Sequence, residues 1–150
     1  MFENEAVYSV AIASKILGVK TVGVVFVDSQ FLRGKTITSM YLPTHNIILF
    51  NQDWLAQAEL EEVVLTAFHE TRHAYQKAQI DVIPNTQKTE NPNTIAVWKR
   101  EFDQYFRPID EYQDDPRYVE QEIEKDVFYG IFLLSKNHLL RIDITLSFIV

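Results

Sequence analysis

Apolar residues recur at Leu60, Val63, Val64, Ala67, Phe68, Ala74, Tyr75 and Ala78, a spacing of three and four that predicts a helix of about twenty residues with one buried stripe. Glu59, Glu61 and Glu62 at its start and Lys77 near its end suit the helix dipole. Upstream, residues 4–17 set Ala6, Val7, Val10, Ala11, Ser14 and Leu17 on one face, with Asn4 expected as the cap and Gly18 just past the end. Thr21 to Val27, apolar on both faces, reads as an interior strand. Ser29 to Lys35 is its loop, and Thr36 to Leu42 and Asn46 to Phe50 form a hairpin around Pro43-Thr44-His45.

Beyond the long helix, residues 81–94 are polar and punctuated by Pro84, Asn85, Asn91 and Pro92, as expected of a loop. A helical pattern resumes through Ile95, Trp98, Phe102, Tyr105 and Phe106 until Pro108 stops it. Residues 107–116 form an acidic loop, and a helix is expected from about Arg117 to Leu134. Over residues 139–150, Leu140, Ile142, Ile144, Leu146, Phe148 and Val150 alternate with polar residues and predict a strand. Its apolar edge needs a place in the sheet or the matching edge of a second copy, which makes a homodimer the alternative cover. The whole predicts one α+β domain over residues 1–150: a small three-stranded sheet packed on an N-terminal helix and on the long helix, followed by a glutamate-bearing helix.

Composition narrows the partners. At 47% hydrophobic, 150 residues suffice for one packed core. The net charge of −7, without a cluster of Lys and Arg, argues against a nucleic-acid partner. No membrane partner is expected, because the longest apolar run near the end, Val127 to Leu134, is far short of the roughly 20 residues of a span. The opening Met1-Phe2-Glu3-Asn4-Glu5 lacks the basic start of a signal peptide. Zero cysteines exclude disulfides and thiolate ligands, leaving His and carboxylates for any metal, and fit the cytoplasm.

The long helix carries the candidate chemistry in His69-Glu70-Thr71-Arg72-His73. Four residues advance an α-helix by about 400°, so His69 and His73 lie on nearly one face, roughly 6 Å apart, where two imidazoles can grip one metal ion. Glu70 is rotated by about 60° from His73, in reach of a metal-activated water as a general base and outside the ligand set. With 4 His in the chain, this pentapeptide arises at random about once in a hundred such sequences. The competing explanation is a surface helix that happens to carry two histidines. His45 and His138 fall in polar breaks and are weak ligand candidates.

A third ligand should come from Glu120, Glu122 or Glu124. A ligand must face the metal helix, so its neighbours three, four and seven positions on should be buried too. Glu124 has Val127, Phe128 and Ile131 there, whereas Glu122 has Lys125, Asp126 and Tyr129. Glu124 is favoured, Glu122 is the alternative and Glu120 comes third. Asp126 is a candidate to accept the free ring N–H of a ligating histidine, with a solvated carboxylate the competing role. Tyr112 and Tyr118 are candidate donors to a developing oxyanion, though each is more simply a packed ring.

His69-Glu70-Thr71-Arg72-His73-Ala74-Tyr75-Gln76, followed by Trp98-Lys99, Tyr118 and Ile123-Glu124-Lys125-Asp126, resembles the small zincin-type metallopeptidases of the ImmA/IrrE kind, many of them encoded by phages and mobile elements. The resemblance covers roughly residues 46–134. It implies a minimal gluzincin-type fold and one zinc ion per chain held by His69, His73 and Glu124, with Glu122 the alternative in a Glu-x-x-x-Asp alignment. It also implies Glu70 as the base, and cytoplasmic endopeptidase activity on a protein or peptide substrate, often a repressor or other regulator. Arg72 matches the resemblance too; rotated by about 100° from His73, it is expected in a salt bridge rather than the ligand set. The rival class is a non-catalytic zincin-fold interaction module with a structural metal or none. Glu70 favours the enzyme, since a purely structural site needs no base beside its metal.

Overall fold

The structure is a computed structural model that describes residues 1–33, 36–82, 89–105 and 116–136, with side chains to residue 131. The strand expected over 139–150, His138 and Tyr112 lie outside the described residues. Within them the fold is α+β: α1 (Glu3–Leu17), β1 (Gly23–Val27), β2 (Ser39–Leu42), β3 (Ile47–Asn51), α2 (Gln52–Leu55), α3 (Leu60–Asp81), α4 (Pro92–Asp103), α5 (Pro116–Val119) and α6 (Glu122–Lys136). No helix among these is long and apolar enough to cross a membrane.

The sheet is mixed, in the order β1-β3-β2, with β1 parallel and β2 antiparallel to β3. One expectation is corrected by that order. β1 is an edge strand, with Val25 41% exposed, and the interior strand is β3, where Ile48, Leu49 and Phe50 are consecutively buried. Uninterrupted apolar runs occur in both, but only β3 has a neighbour on each side. β3 therefore has no free edge. Among the described residues, β2 is the other edge strand of the sheet.

The long helix α3 runs for 22 residues, as its periodicity predicts. Its start is fastened by Glu62, whose Oε2 accepts the Glu59 N–H at 2.8 Å. Val63, Ala67 and Ala74 join a core with Ala6 and Val10 of α1, Val22, and Tyr41, Ile48 and Phe50 of the sheet. Val64 and Phe68, one position round, pack against Ala13 and Ile131. α3 is thus the beam between the sheet and α6. α1 ends at Gly18 in the left-handed conformation, φ 66°, where glycine carries no steric penalty. Its cap position is Phe2, without a side-chain bond, rather than Asn4.

The helix expected from Arg117 to Leu134 is broken at Glu120–Gln121 into α5 and α6. The break is stabilised from a distance. Glu101 on α4 accepts the N–H groups of Glu122 at 3.2 Å and Ile123 at 2.8 Å, satisfying two of the unpaired donors that every helix start leaves. α4 itself begins at Pro92 behind an Asn91 cap, three residues earlier than the pattern of apolar positions suggested.

Candidate metal centre

α3 and α6 bring three side chains to one point: His69, His73 and Glu124. The Nε2 atoms of the two histidines are 3.2 Å apart. Glu124 spans them, with Oε2 at 3.3 Å from His69 Nε2 and Oε1 at 3.3 Å from His73 Nε2. Donors about 2.0–2.1 Å from a tetrahedral ion stand about 3.3–3.4 Å from one another, and each of these separations is of that size, the two to Glu124 ending on different oxygens. Glu124 is fully buried, and its Oε2 makes no hydrogen bond. An orphaned carboxylate oxygen aimed at an imidazole nitrogen is what a cation-binding site presents before its cation. The three residues could hold a metal ion.

Glu122 is exposed and paired with Lys125 Nζ at 2.8 Å, and Glu120 is exposed. Neither joins the cluster. The α6 register explains the difference: Glu124 shares its buried side with Ile123 and Val127, both inaccessible, while Glu122 lies on the outer face. His45 is an exposed turn residue.

The electrostatics follow from the burial. Burial pushes the Glu124 carboxyl up, but the two histidines beside it outweigh this and hold it far below the usual carboxylate range. Burial likewise disfavours a charged His73, and Glu124 overcomes it, so that the imidazole is raised above its ordinary value. Tyr105 donates its hydroxyl hydrogen bond to Glu124 Oε1. Burial first, and then the Glu124 charge, keep that phenol protonated far into alkali.

Glu70 is buried on the neighbouring face of α3 and faces β2. Its Oε1 accepts the Ser39 hydroxyl at 2.6 Å and its Oε2 accepts the Tyr41 N–H at 2.7 Å. The sheet register makes that backbone group available. The Asn51 N–H bonds the Thr38 carbonyl at 2.9 Å, so alternate residues from Thr38 turn their main chain toward β3 while Ser39 and Tyr41 turn theirs outward.

Asp126 does not touch a histidine directly, as had been considered; Gln76 stands between them. Gln76 Nε2 donates to Asp126 Oδ2 at 2.7 Å and its Oε1 meets His73 Nδ1 at 2.9 Å. Asp126 is gripped by Arg72, with Nε and Nη2 each 2.9 Å from a carboxylate oxygen, which is the salt bridge expected of Arg72. The guanidinium also lies over the Tyr75 ring, 4.4 Å from its centre.

The cluster opens into a cleft of about 600 Å³. Its lining includes Ser39 of β2, His69, Glu70 and His73 of α3, Tyr118 of α5 and Phe128 of α6. The Phe128 ring meets that of His69 edge-on at 5.5 Å. Tyr118 lines the cleft, and burial, followed by the Glu124 charge, raises its pKa well above that of a free phenol.

Sequence reasoning missed three residues of this centre. Gln76 carried a signal, being a polar residue on a buried stripe one helical turn from His73. Tyr105 was counted in a helical pattern but lies past the end of α4, and Ser39 reaches Glu70 only through the tertiary fold. No family model matches the chain, and comparison with curated proteins and with solved structures gives no match either.

Proposed function

We propose that the protein is a zinc-dependent metallopeptidase of the gluzincin type, in which His69, His73 and Glu124 hold one zinc ion and Glu70 is the general base. The observation that carries the proposal is the cluster of His69, His73 and Glu124, in which the two imidazole nitrogens lie 3.2 Å apart and each lies 3.3 Å from one of the two Glu124 oxygens, in a cleft also lined by Glu70. A zinc ion supplies Lewis-acid activation of water and of the scissile carbonyl.

The chain's own residues account for the remaining requirements. Each Glu70 oxygen accepts one hydrogen bond from β2 and keeps a further acceptor position, so the carboxylate is held in place while still able to take a proton. Tyr105 supports the Glu124 carboxylate from behind. Tyr118, on the cleft wall and kept protonated, is suited to donate a hydrogen bond to an oxygen that gains charge. The outward main chain of β2, apart from the Tyr41 N–H that Glu70 takes, offers an extended peptide a strand to pair with, which makes a protein or peptide segment the substrate class. The resemblance noted from the sequence points to a regulatory protein in the cytoplasm.

A second reading rests on the same Glu70 contacts: a carboxylate bonded twice to β2 also serves as a strand anchor in a non-catalytic module with a structural metal. Glu70→Gln separates the two. The amide oxygen can accept from Tyr41 N–H while the amide nitrogen donates to the Ser39 hydroxyl, so the fold and zinc content survive. Loss of peptide hydrolysis in this variant, with zinc retained, supports the peptidase. Hydrolysis that persists in Glu70→Gln removes Glu70 as the base, and zinc-loaded wild type inert toward unfolded protein substrates favours the anchor.

A further inference from the structure

His73 is the deeper of the two histidines, and its ring is held from behind by Gln76. The orientation of the Gln76 amide follows from its other contacts. Its Nε2 lies 2.9 Å from the Ile123 carbonyl and 2.7 Å from Asp126 Oδ2, both acceptors, so this end must be the nitrogen. The amide oxygen therefore faces His73 Nδ1 at 2.9 Å. An oxygen there can only accept, which places a proton on Nδ1, so that in the neutral ring the lone pair is on Nε2. Nε2 is the atom that points at His69 and Glu124.

The geometry assigns Gln76 the part of a positioning residue for the metal: it fixes the ring and tautomer of His73, and Asp126 and Arg72 in turn fix the amide. The assignment rests on the reading of the histidine–glutamate cluster as a metal site. Gln76 is fully buried on α3, and the Arg72 fork holds Asp126 in register with it. A neutral amide orients the imidazole without adding another charge to a pocket that already contains Glu70 and Glu124.

A buried glutamine joining two helices is also a structural tie, and the two roles use different atoms. The tie between α3 and α6 is made by Nε2, whereas the positioning of His73 is made by Oε1. Gln76→Met removes both. Gln76→Glu combined with Asp126→Asn keeps an acceptor for Nδ1–H and exchanges donor and acceptor between the two positions, while giving up the bond to Ile123.

The test is zinc affinity, measured by competition with a chromophoric chelator, together with the visible spectrum of the cobalt-substituted chain and the melting temperature of the metal-free chain. Both variants should melt below wild type. Gln76→Met should bind zinc roughly 10- to 100-fold more weakly and shift the cobalt spectrum, while the double variant stays within a few-fold of wild type. Unchanged affinity in Gln76→Met, or equal weakening in both variants, overturns the assignment. Should Gln76→Met fail to fold, the double variant decides alone: retained affinity supports the role, and a loss of tenfold or more refutes it. Wild type that takes up no zinc overturns the metal reading itself, a result distinct from any difference among the variants.

Discussion

The Ser39 hydroxyl and the Glu70 carboxylate are 2.6 Å apart, and this contact fastens the outer strand of the sheet to the helix that carries both histidines. Tyr41 N–H makes the second fastening at 2.7 Å. Ser39 is buried, so its bond to a charged group contributes about 1.5–3 kcal/mol. Ser39→Ala should lower unfolding stability by about 2 kcal/mol in urea titration with an unchanged slope, leaving zinc content intact. A change below about 0.5 kcal/mol would mean that the bond is not made in solution.

Glu124 and Glu122 are two residues apart and have opposite environments. Glu124 is inaccessible and meets both histidines, while Glu122 is exposed and pairs only with Lys125 among its described contacts. Glu124→Ala should weaken zinc binding by orders of magnitude, His69→Ala and His73→Ala should abolish stoichiometric binding, and Glu122→Ala should leave affinity unchanged in the same chelator competition. A reversed ranking of the two glutamates would transfer the ligand to Glu122.

Two ion pairs on α6 differ in the same way. The Arg72–Asp126 pair is bidentate and about four-fifths shielded, whereas Lys125–Glu122 is solvated. Arg72→Leu should cost about 1–2 kcal/mol, since it leaves Asp126 partly buried without its charged partner. Lys125→Ala should give no measurable change. Equal effects would show that the Arg72 fork is not formed.

The parts of this centre that were legible in the sequence are those set by a helical period. His69, Glu70 and His73 are fixed relative to one another by 3.6 residues per turn, and the apolar Val127, Phe128 and Ile131 select Glu124 over Glu122 by the same rule, although only Val127 is buried, Ile131 being half-buried and Phe128 exposed. Strand order is a different kind of information. The runs at Val24 to Val27 and Ile47 to Phe50 look alike locally, and only pairing distinguishes the edge β1 from the central β3. The break between α5 and α6 was hidden for a similar reason. The Glu101 carboxylate that caps Ile123 comes from 22 residues away, so no local pattern announces it.

The metal-free and zinc-bound chains should respond oppositely to pH. In the metal-free chain His73 lies 3.3 Å from Glu124 and, although burial opposes its charge, holds its proton more tightly than in the unfolded state. A raised pKa contributes stability that is complete below the unfolded value, about 6.5, and is lost as pH rises through the folded value. Glu124 is shifted down, so its contribution is present above the usual carboxylate pKa and is lost only well into acid. The metal-free fold should therefore lose stability from mildly acidic toward alkaline pH. Zinc requires His73 unprotonated at Nε2, so zinc affinity climbs over the same interval. The melting-temperature gap between zinc-loaded and metal-free protein should consequently widen between about pH 6 and pH 8. A gap that narrows as pH rises would exclude His73 as a ligand.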